Sequence, residues 1–240
     1  MKTQEILNAT AHRPWELPNG NWKFYQEWDD SLFAHWQVDL KELERFVPKA
    51  LTIDTFEGKP WVSLVAFTLK SLRPKNLPPF PLLSNFYEIN IRTYVRFNNK
   101  PGIYFLSIES GKWLSAQFTR AIMELPYRYS HIKRHTGVYQ SVNKKYKDSL
   151  HLTYQIGQRK TQKTALEKWL TERYTLFQES KNAINAFDIH HVEWPLKDIT
   201  FTEFHMDYPR FKNLINNKPP LVHYSNGVQV LTWNKKKNRL

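Results

Sequence analysis

The chain has 240 residues, of which 41% are hydrophobic and 15% aromatic, so a sizeable core can form without covalent cross-links. It contains no cysteine, which excludes disulfides and thiolate metal sites and makes a reducing cytoplasm the expected compartment. The formal net charge of +13 indicates nonspecific attraction to polyanions but does not bear on the fold.

No signal peptide is visible, since no apolar run follows the first residues. The longest apolar run, around residues 64–67, is far short of the roughly 20 residues that span a bilayer, so no membrane partner is expected. The basic clusters at 128–147, 159–168 and 235–239 are interpreted as solvated loops and a frayed tail. Nucleic-acid binding is not expected, because no nucleic-acid-binding motif accompanies the charge.

The first part of the chain is predicted to contain one helix between extended segments. Asp39 is a suitable N-cap, Leu40, Leu43 and Val47 follow at helical spacing, and Pro48 ends the helix. The segments predicted next are strands at 51–56 and 61–72 in a hairpin around 57–59, and an extended proline-rich surface loop at 73–81.

The clearest predicted strand is 87–97, because polar and apolar residues alternate along it. Glu88, Arg92 and Arg96 share its polar face. A turn, a returning strand and a helix stopped by Pro126 are predicted next, at 98–102, 103–108 and 113–125.

The second half is predicted to contain short strands and one helix. The polar segment 138–163 is interpreted as edge strands with a mobile loop, and a capping box opens a helix at 164–172. Further strands are predicted at 174–177, 188–193, 199–204 and 228–233.

Many short strands with few helices predict a mostly β fold, an antiparallel barrel or sandwich, with an α+β fold as the alternative. Residues 1–240 are expected to form a single domain with a basic tail at about 234–240. Periodicity alone does not choose between barrel and sandwich.

The segment 120–128 resembles part of acetoacetate decarboxylase. Arg120 and Pro126 stand at that family's spacing, Tyr127 stands where the family has its Schiff-base lysine, and Arg128 stands where it has a second lysine. The resemblance implies an antiparallel β-barrel. It also argues against decarboxylation, because a tyrosine cannot form an iminium with a keto acid.

The resemblance continues upstream, where the family's catalytic glutamate falls on Glu88. The family's active-site arginine would fall within 28–30, which contains no arginine. A closer resemblance is to the YqjF-like bacterial family, domain of unknown function 2071, which names no substrate. The blocks that carry it are 12–15, 32–36, 51–56, 90–95, 125–127, 170–174 and 190–196.

The candidate ligand-binding residues are Glu88, Arg92, Arg120, Tyr127 and Arg128. The leading hypothesis is that they surround a barrel cavity that binds a small organic molecule, neutral or anionic. Glu88 is then expected to be buried, within reach of an arginine and near the Pro126–Tyr127 turn, since an unpaired buried charge is costly. A solvent-facing ladder of ion pairs is the alternative for this strand face.

Two other functions remain open at the level of sequence. The first is an enzyme of different chemistry that uses Glu88 and Tyr127 as catalytic residues for proton transfer on a carbonyl compound. The second is a basic adaptor for nucleic acid or a partner protein. No cofactor is predicted, and homo-oligomerisation is left open.

No metal site is predicted. His190 and His191 are adjacent on a predicted strand and therefore face opposite sides, so a shared ion would need His35, His205 or His223 to converge on one of them. Asp29 and Asp30 are interpreted as the end of a strand, with an acid–base role as the alternative.

Overall fold

The computed structural model describes residues 2–81, 83–215 and 218–240. These ranges contain the helices α1 (Thr3–Asn8), α2 (Leu40–Glu44), α3 (Trp113–Met123) and α4 (Ala165–Thr171), and a 3-10 helix at Pro209–Phe211. The first seven strands are β1 (Phe24–Gln37), β2 (Thr52–Ile53), β3 (Trp61–Pro74), β4 (Phe86–Phe97), β5 (Lys100–Ser110), β6 (Tyr127–Tyr129) and β7 (His131–His135). The others are β8 (Val138–Asn143), β9 (Asp148–Arg159), β10 (Thr175–Ser180), β11 (Ala183–His190), β12 (Leu196–Asp207), β13 (Leu221–Thr232) and β14 (Lys236–Arg239).

All these strands belong to one sheet, in the order β14-β11-β10-β5-β4-β3-β1-β13-β12-β9-β8-β7, with β2 on β4 and β6 on β5. A further pairing of β11 with β13 closes part of this order into a ring. The predicted mostly β class is confirmed. The sheet is mixed rather than wholly antiparallel, because both β6 and β10 run parallel to β5.

The two faces of β4 pack in different environments. Ile89 and Ile91 belong to a hydrophobic cluster that also contains residues of α2, β9 and β12. Tyr94 belongs to a second cluster, which also contains residues of α3, α4 and β6. Because side chains alternate along a strand, Glu88 and Asn90 lie on the same face as Tyr94. Both are buried, at 3% exposure, so the polar face of β4 is shielded from solvent; it is called the inner face below.

The predicted helix after Asp39 is confirmed, and its capping carboxylate accepts a hydrogen bond from the Glu42 amide at 3.0 Å. The predicted hairpin after it is only partly correct. Phe56 and Lys59 form a bridge around a turn in which Gly58 has φ +76°. However, β2 pairs with β4 and not with β3.

Of two interpretations of polar segments, one was partly correct and one was wrong. The segment 138–163 contains strands, as predicted, but they form the regular hairpin β8–β9, which pairs over six residue pairs. The basic tail is not frayed, since β14 pairs with β11 and Lys236 lies 3.3 Å from the buried carboxylate of Asp188. Within the described ranges, no helix is long and apolar enough to cross a membrane.

The interpretation of Asp29 and Asp30 as the end of a strand was wrong, because both lie in the middle of β1, which pairs with both β3 and β13. Its alternation is interrupted by register shifts against β3, one of them between Asp29 and Leu32. Asp30 lies within this bulge and has φ +52°. A bulge of this kind shifts the inward and outward pattern by one residue, which hides the strand from periodicity.

We expect Gly102→Ala to destabilise the fold where β5 meets β10. A β-carbon at Gly102 would lie 2.6 Å from the Thr175 carbonyl oxygen and 2.7 Å from a ring carbon of Phe177. Such overpacking costs about 1–3 kcal/mol, measurable as a lower midpoint in urea unfolding. Gly111→Ala is the control, because its nearest contact would be 3.5 Å. Equal midpoints for the two variants would contradict this account.

Candidate functional site

The polar face of β4 meets β6 through a short hydrogen bond. The Tyr127 hydroxyl donates to Oε2 of Glu88 at 2.6 Å, and the Asn90 amide donates to Oε1 at 3.3 Å. The Tyr139 hydroxyl also donates to the Glu88 backbone carbonyl at 3.1 Å. The expected burial of Glu88 beside the Pro126–Tyr127 turn is therefore confirmed.

The predicted pairing of Glu88 with an arginine is wrong, because its described side-chain partners, Tyr127 and Asn90, are both neutral. Burial raises the pKa of Glu88 to about 7, while the hydrogen bonds from Tyr127 and Asn90 oppose that rise. Burial, together with the Glu88 charge, raises the pKa of Tyr127 well above its ordinary value. The pair is thus a neutral phenol beside a carboxyl group that titrates near neutrality.

Tyr127 also lines a cavity of about 630 Å³. Its walls come from β1, β3, β4, β13, α3 and the loop after β3, and they include Leu69, Phe86, Met123 and Leu125. None of the described residues that line the cavity is charged. Its polar lining groups are the side chains of Gln26, Thr119, Tyr127 and Thr232, and the Thr232 hydroxyl is buried without a partner.

The mouth of this cavity is apolar. Leu77 and Phe80, on the loop after β3, are 58% and 56% exposed, and Phe118 on α3 is 43% exposed. Large apolar side chains this exposed beside a cavity are typical of a binding site. Sequence reasoning interpreted 73–81 as a surface loop only. Its four prolines, together with the apolar Leu77 and Phe80, were the one available signal of a different role.

Arg128 lies on the other face of β6 from Tyr127, as strand alternation requires. Its guanidinium contacts Glu109 at 3.3 Å, Asp148 at 3.1 Å and the Ser107 hydroxyl. Burial raises the pKa of Asp148 to about 6. Arg128 is thus held in a buried ion cluster behind the sheet and does not belong to the Glu88 group.

The other two candidate arginines are also apart from Glu88. Arg120 is exposed on α3. Arg92 is buried further along the inner face of β4, where it donates to the Leu170 carbonyl at 3.5 Å. Of the five predicted residues, the structure therefore brings together Glu88 and Tyr127.

The paired histidines have structural partners. Arg13 donates to Nδ1 of His190 at 3.0 Å, so that histidine donates from Nε2 to the Ile6 carbonyl at 2.7 Å. His191 donates from Nδ1 to the Val192 carbonyl at 2.7 Å. No group of three or more metal-ligating side chains occurs among the residues that the structure describes.

The two aspartates of the β1 bulge also have separate partners. Asp29 contacts Lys70 at 2.9 Å, and Asp30 accepts a hydrogen bond from the Tyr224 hydroxyl at 2.6 Å. Neither is bonded to His35, which instead contacts the Ser63 hydroxyl through Nδ1 at 2.6 Å. This geometry favours the structural interpretation of the aspartates over an acid–base pair.

A family model of uncharacterized conserved proteins, DUF2071, matches residues 25–229. The chain belongs to the DUF2071 family. It is 35% identical over 231 residues to the uncharacterized protein YqjF of Bacillus subtilis strain 168, and this match covers 90% of the chain and 93% of YqjF. Membership in DUF2071 confirms the closer of the two resemblances found in the sequence, and the family description carries no activity.

Solved structures extend the likeness of this DUF2071 member to the acetoacetate decarboxylase fold. An acetoacetate decarboxylase from Legionella pneumophila matches with a TM-score of 0.60 at 13% identity, over 98% of this chain and 94% of that one. The enduracididine biosynthesis enzyme MppR, with HEPES bound, matches with a TM-score of 0.60 at 14% identity, over 95% and 93%. At these identities the likeness establishes the fold alone.

We expect Glu88→Gln to remove a pH-dependent loss of stability. The folded pKa of about 7 lies above the ordinary 4.5, so the folded protein retains a proton that the unfolded chain releases. Stability therefore falls as pH rises from about 4.5 to 7, by up to about 3 kcal/mol from this one group. Urea unfolding at pH 5 and pH 8 measures the change.

The control for this experiment is Glu203→Gln, at a side chain that is 56% exposed. The control should keep the wild-type difference in unfolding free energy between the two pH values, while Glu88→Gln should reduce it. A wild-type difference that survives in Glu88→Gln would show that Glu88 is not the titrating group.

Proposed function

We propose that this protein binds a neutral, largely apolar small molecule in the cavity beside Tyr127, without forming a Schiff base. The observation that carries the proposal is the cavity of about 630 Å³, whose described lining is apolar with a few neutral polar groups. Cavities of this size and lining are typical of small-molecule sites. The proposal keeps the small organic ligand expected from sequence and abandons its anionic form.

The lining explains why a neutral ligand is favoured. A carboxylate placed in this cavity would lose its hydration with no cationic partner among the described lining residues, which is costly. The unpartnered Thr232 hydroxyl and the Gln26 side chain offer hydrogen bonds to one polar group of a ligand. The exposed apolar mouth formed by Leu77, Phe80 and Phe118 suits the entry of an apolar molecule.

A second candidate is proton transfer on a carbonyl compound, with Glu88 as the acid or base and Tyr127 as the group in contact with the ligand. It is favoured by the pKa of Glu88 at about 7, which suits general acid–base catalysis near neutral pH. It ranks second because Tyr127 lines the cavity whereas the Glu88 carboxyl lies behind it.

Binding of a neutral fluorophore tests the first proposal. N-phenyl-1-naphthylamine should bind with enhanced fluorescence, and 1-naphthoate should compete at least about tenfold more weakly because its charge must be desolvated. Thr119→Trp should abolish binding by filling the cavity from α3. Gln117→Trp is the control, since that position is exposed on the same helix. Equal binding by both variants, or tighter binding of naphthoate, would contradict the proposal.

The absence of Schiff-base chemistry is tested separately. Acetoacetate with borohydride should leave the protein mass unchanged and release no carbon dioxide above the spontaneous rate, because Tyr127 has no amine. Intact-protein mass spectrometry makes the measurement. A stoichiometric adduct on any lysine would sink this part of the proposal.

A further inference from the structure

The inner face of β4 holds a buried cation that has no carboxylate partner among the described residues. Arg92 is 7% exposed and donates to the Leu170 carbonyl at 3.5 Å, which also accepts a hydrogen bond from the Tyr94 hydroxyl at 2.9 Å. Burial lowers the pKa of Arg92, and only Tyr94 opposes this effect. A buried guanidinium without an anionic partner is unusual, because the cost of desolvating its charge is not offset.

A second buried guanidinium lies beside it. Arg173 is 7% exposed, and its Cζ lies 5.0 Å from the ring of Tyr94. Burial and the charge of Arg92 both lower the pKa of Arg173, while Asp54 raises it. Asp54 contacts Arg173 at 2.8 Å and is shared with the half-exposed Arg96 at 3.1 Å. The described carboxylates at this place are therefore fewer than the cations.

Several N–H donors here are buried and have no partner in the part of the chain that the structure describes. They include Nε of Arg92 and Nη2 of Arg173. The indole Nε1 of Trp61 is also unpartnered, and Trp61 lies on β3, on the inner face next to β4. The carbonyls of Leu170 and Trp169, at the end of α4, accept from Nη2 of Arg92 and Nε of Arg173. They do not accept from the unpartnered donors.

Nearby carboxylates are already committed to other partners. Glu88 accepts from Tyr127, and Glu167 contacts Lys160 and His223, both at 2.8 Å. The region has an excess of cations and several unpartnered donors, so it is complementary to an anion. A guanidinium binds the oxygen atoms of an oxyanion, or a halide ion, well.

We propose that the Arg92–Arg173 pair, inside the ring beneath the end of α4, binds a small monovalent anion such as a halide or a short carboxylate. The anion offsets the excess buried charge and accepts the unpartnered N–H groups. Arg92 is not among the residues lining the cavity at Tyr127, so this site is separate and does not depend on the function proposed for that cavity.

Thermal unfolding tests the proposal when the melting temperature is compared in formate and in gluconate at the same ionic strength. Gluconate serves as the reference anion because it is too large for a buried site. The melting temperature should rise saturably, by about 3 °C once formate exceeds its Kd tenfold, because an anion bound only to the folded state stabilises it. Arg92→Met should lose this response. Arg96→Gln should retain it, since Arg96 contacts the same Asp54 from a position 45% exposed.

A crystal soaked in bromide gives an independent measurement on the unaltered protein, which decides the matter if Arg92→Met fails to fold. An anomalous peak within about 3.5 Å of a guanidinium nitrogen of Arg92 is expected. If bromide is found at exposed lysines and not at Arg92, it is an adventitious ion only, and this result would overturn the proposal. Equal melting temperatures in formate and gluconate, or a full formate response in Arg92→Met, would do the same.

Discussion

The pairing of β11 with β13 is the contact on which the candidate sites depend. It joins Ile189 to Thr232 and His190 to Leu231, and it closes seven strands into a ring. Closure removes water from the inner face of β4, which carries the Glu88 carboxylate and the Arg92 guanidinium. On a solvated strand, both groups would simply be hydrated charges. Desolvation is the first cause of the shifted pKa of both Glu88 and Arg92.

These two buried groups reach different solutions on the same strand. Burial disfavours the Glu88 carboxylate and raises its pKa to about 7, so this group can become neutral, although the hydrogen bond from Tyr127 favours its charged form. An arginine cannot be neutralised in the same way, because its guanidinium stays protonated at any physiological pH. Without an external negative charge, the buried Arg92 therefore destabilises the fold. Glu88 requires no such partner. This asymmetry separates the ligand cavity from the proposed anion site.

A tyrosine at position 127 fits this electrostatic arrangement. A lysine at that position would meet Glu88 as a charged partner, and the pair would be an ion pair beside the cavity. With tyrosine the same position presents a neutral hydrogen-bond donor, and the cavity wall stays uncharged. The neighbouring Arg128 does not restore the charge, because alternation directs it to Glu109 and Asp148 on the opposite side of the sheet.

The sequence by itself determined the mostly β class, the strand 87–97, the capped helices α2 and α4, and the meeting of Glu88 with Tyr127. These follow from period-two alternation, local capping chemistry and matched family blocks, all of which are encoded by neighbouring residues or by spacing. Family membership also followed from such blocks, since matched residues need no knowledge of their contacts.

Only the tertiary structure decided which arginine meets which carboxylate. Ion-pair partners such as Asp54 and Arg173 are 119 residues apart in sequence, and their contact depends on the whole arrangement of strands. The bulge in β1 and the parallel pairing of β10 with β5 are equally nonlocal, because register shifts and strand order leave no local pattern. For the same reason, the excess of buried positive charge at Arg92 became visible only when every potential partner had been located in space.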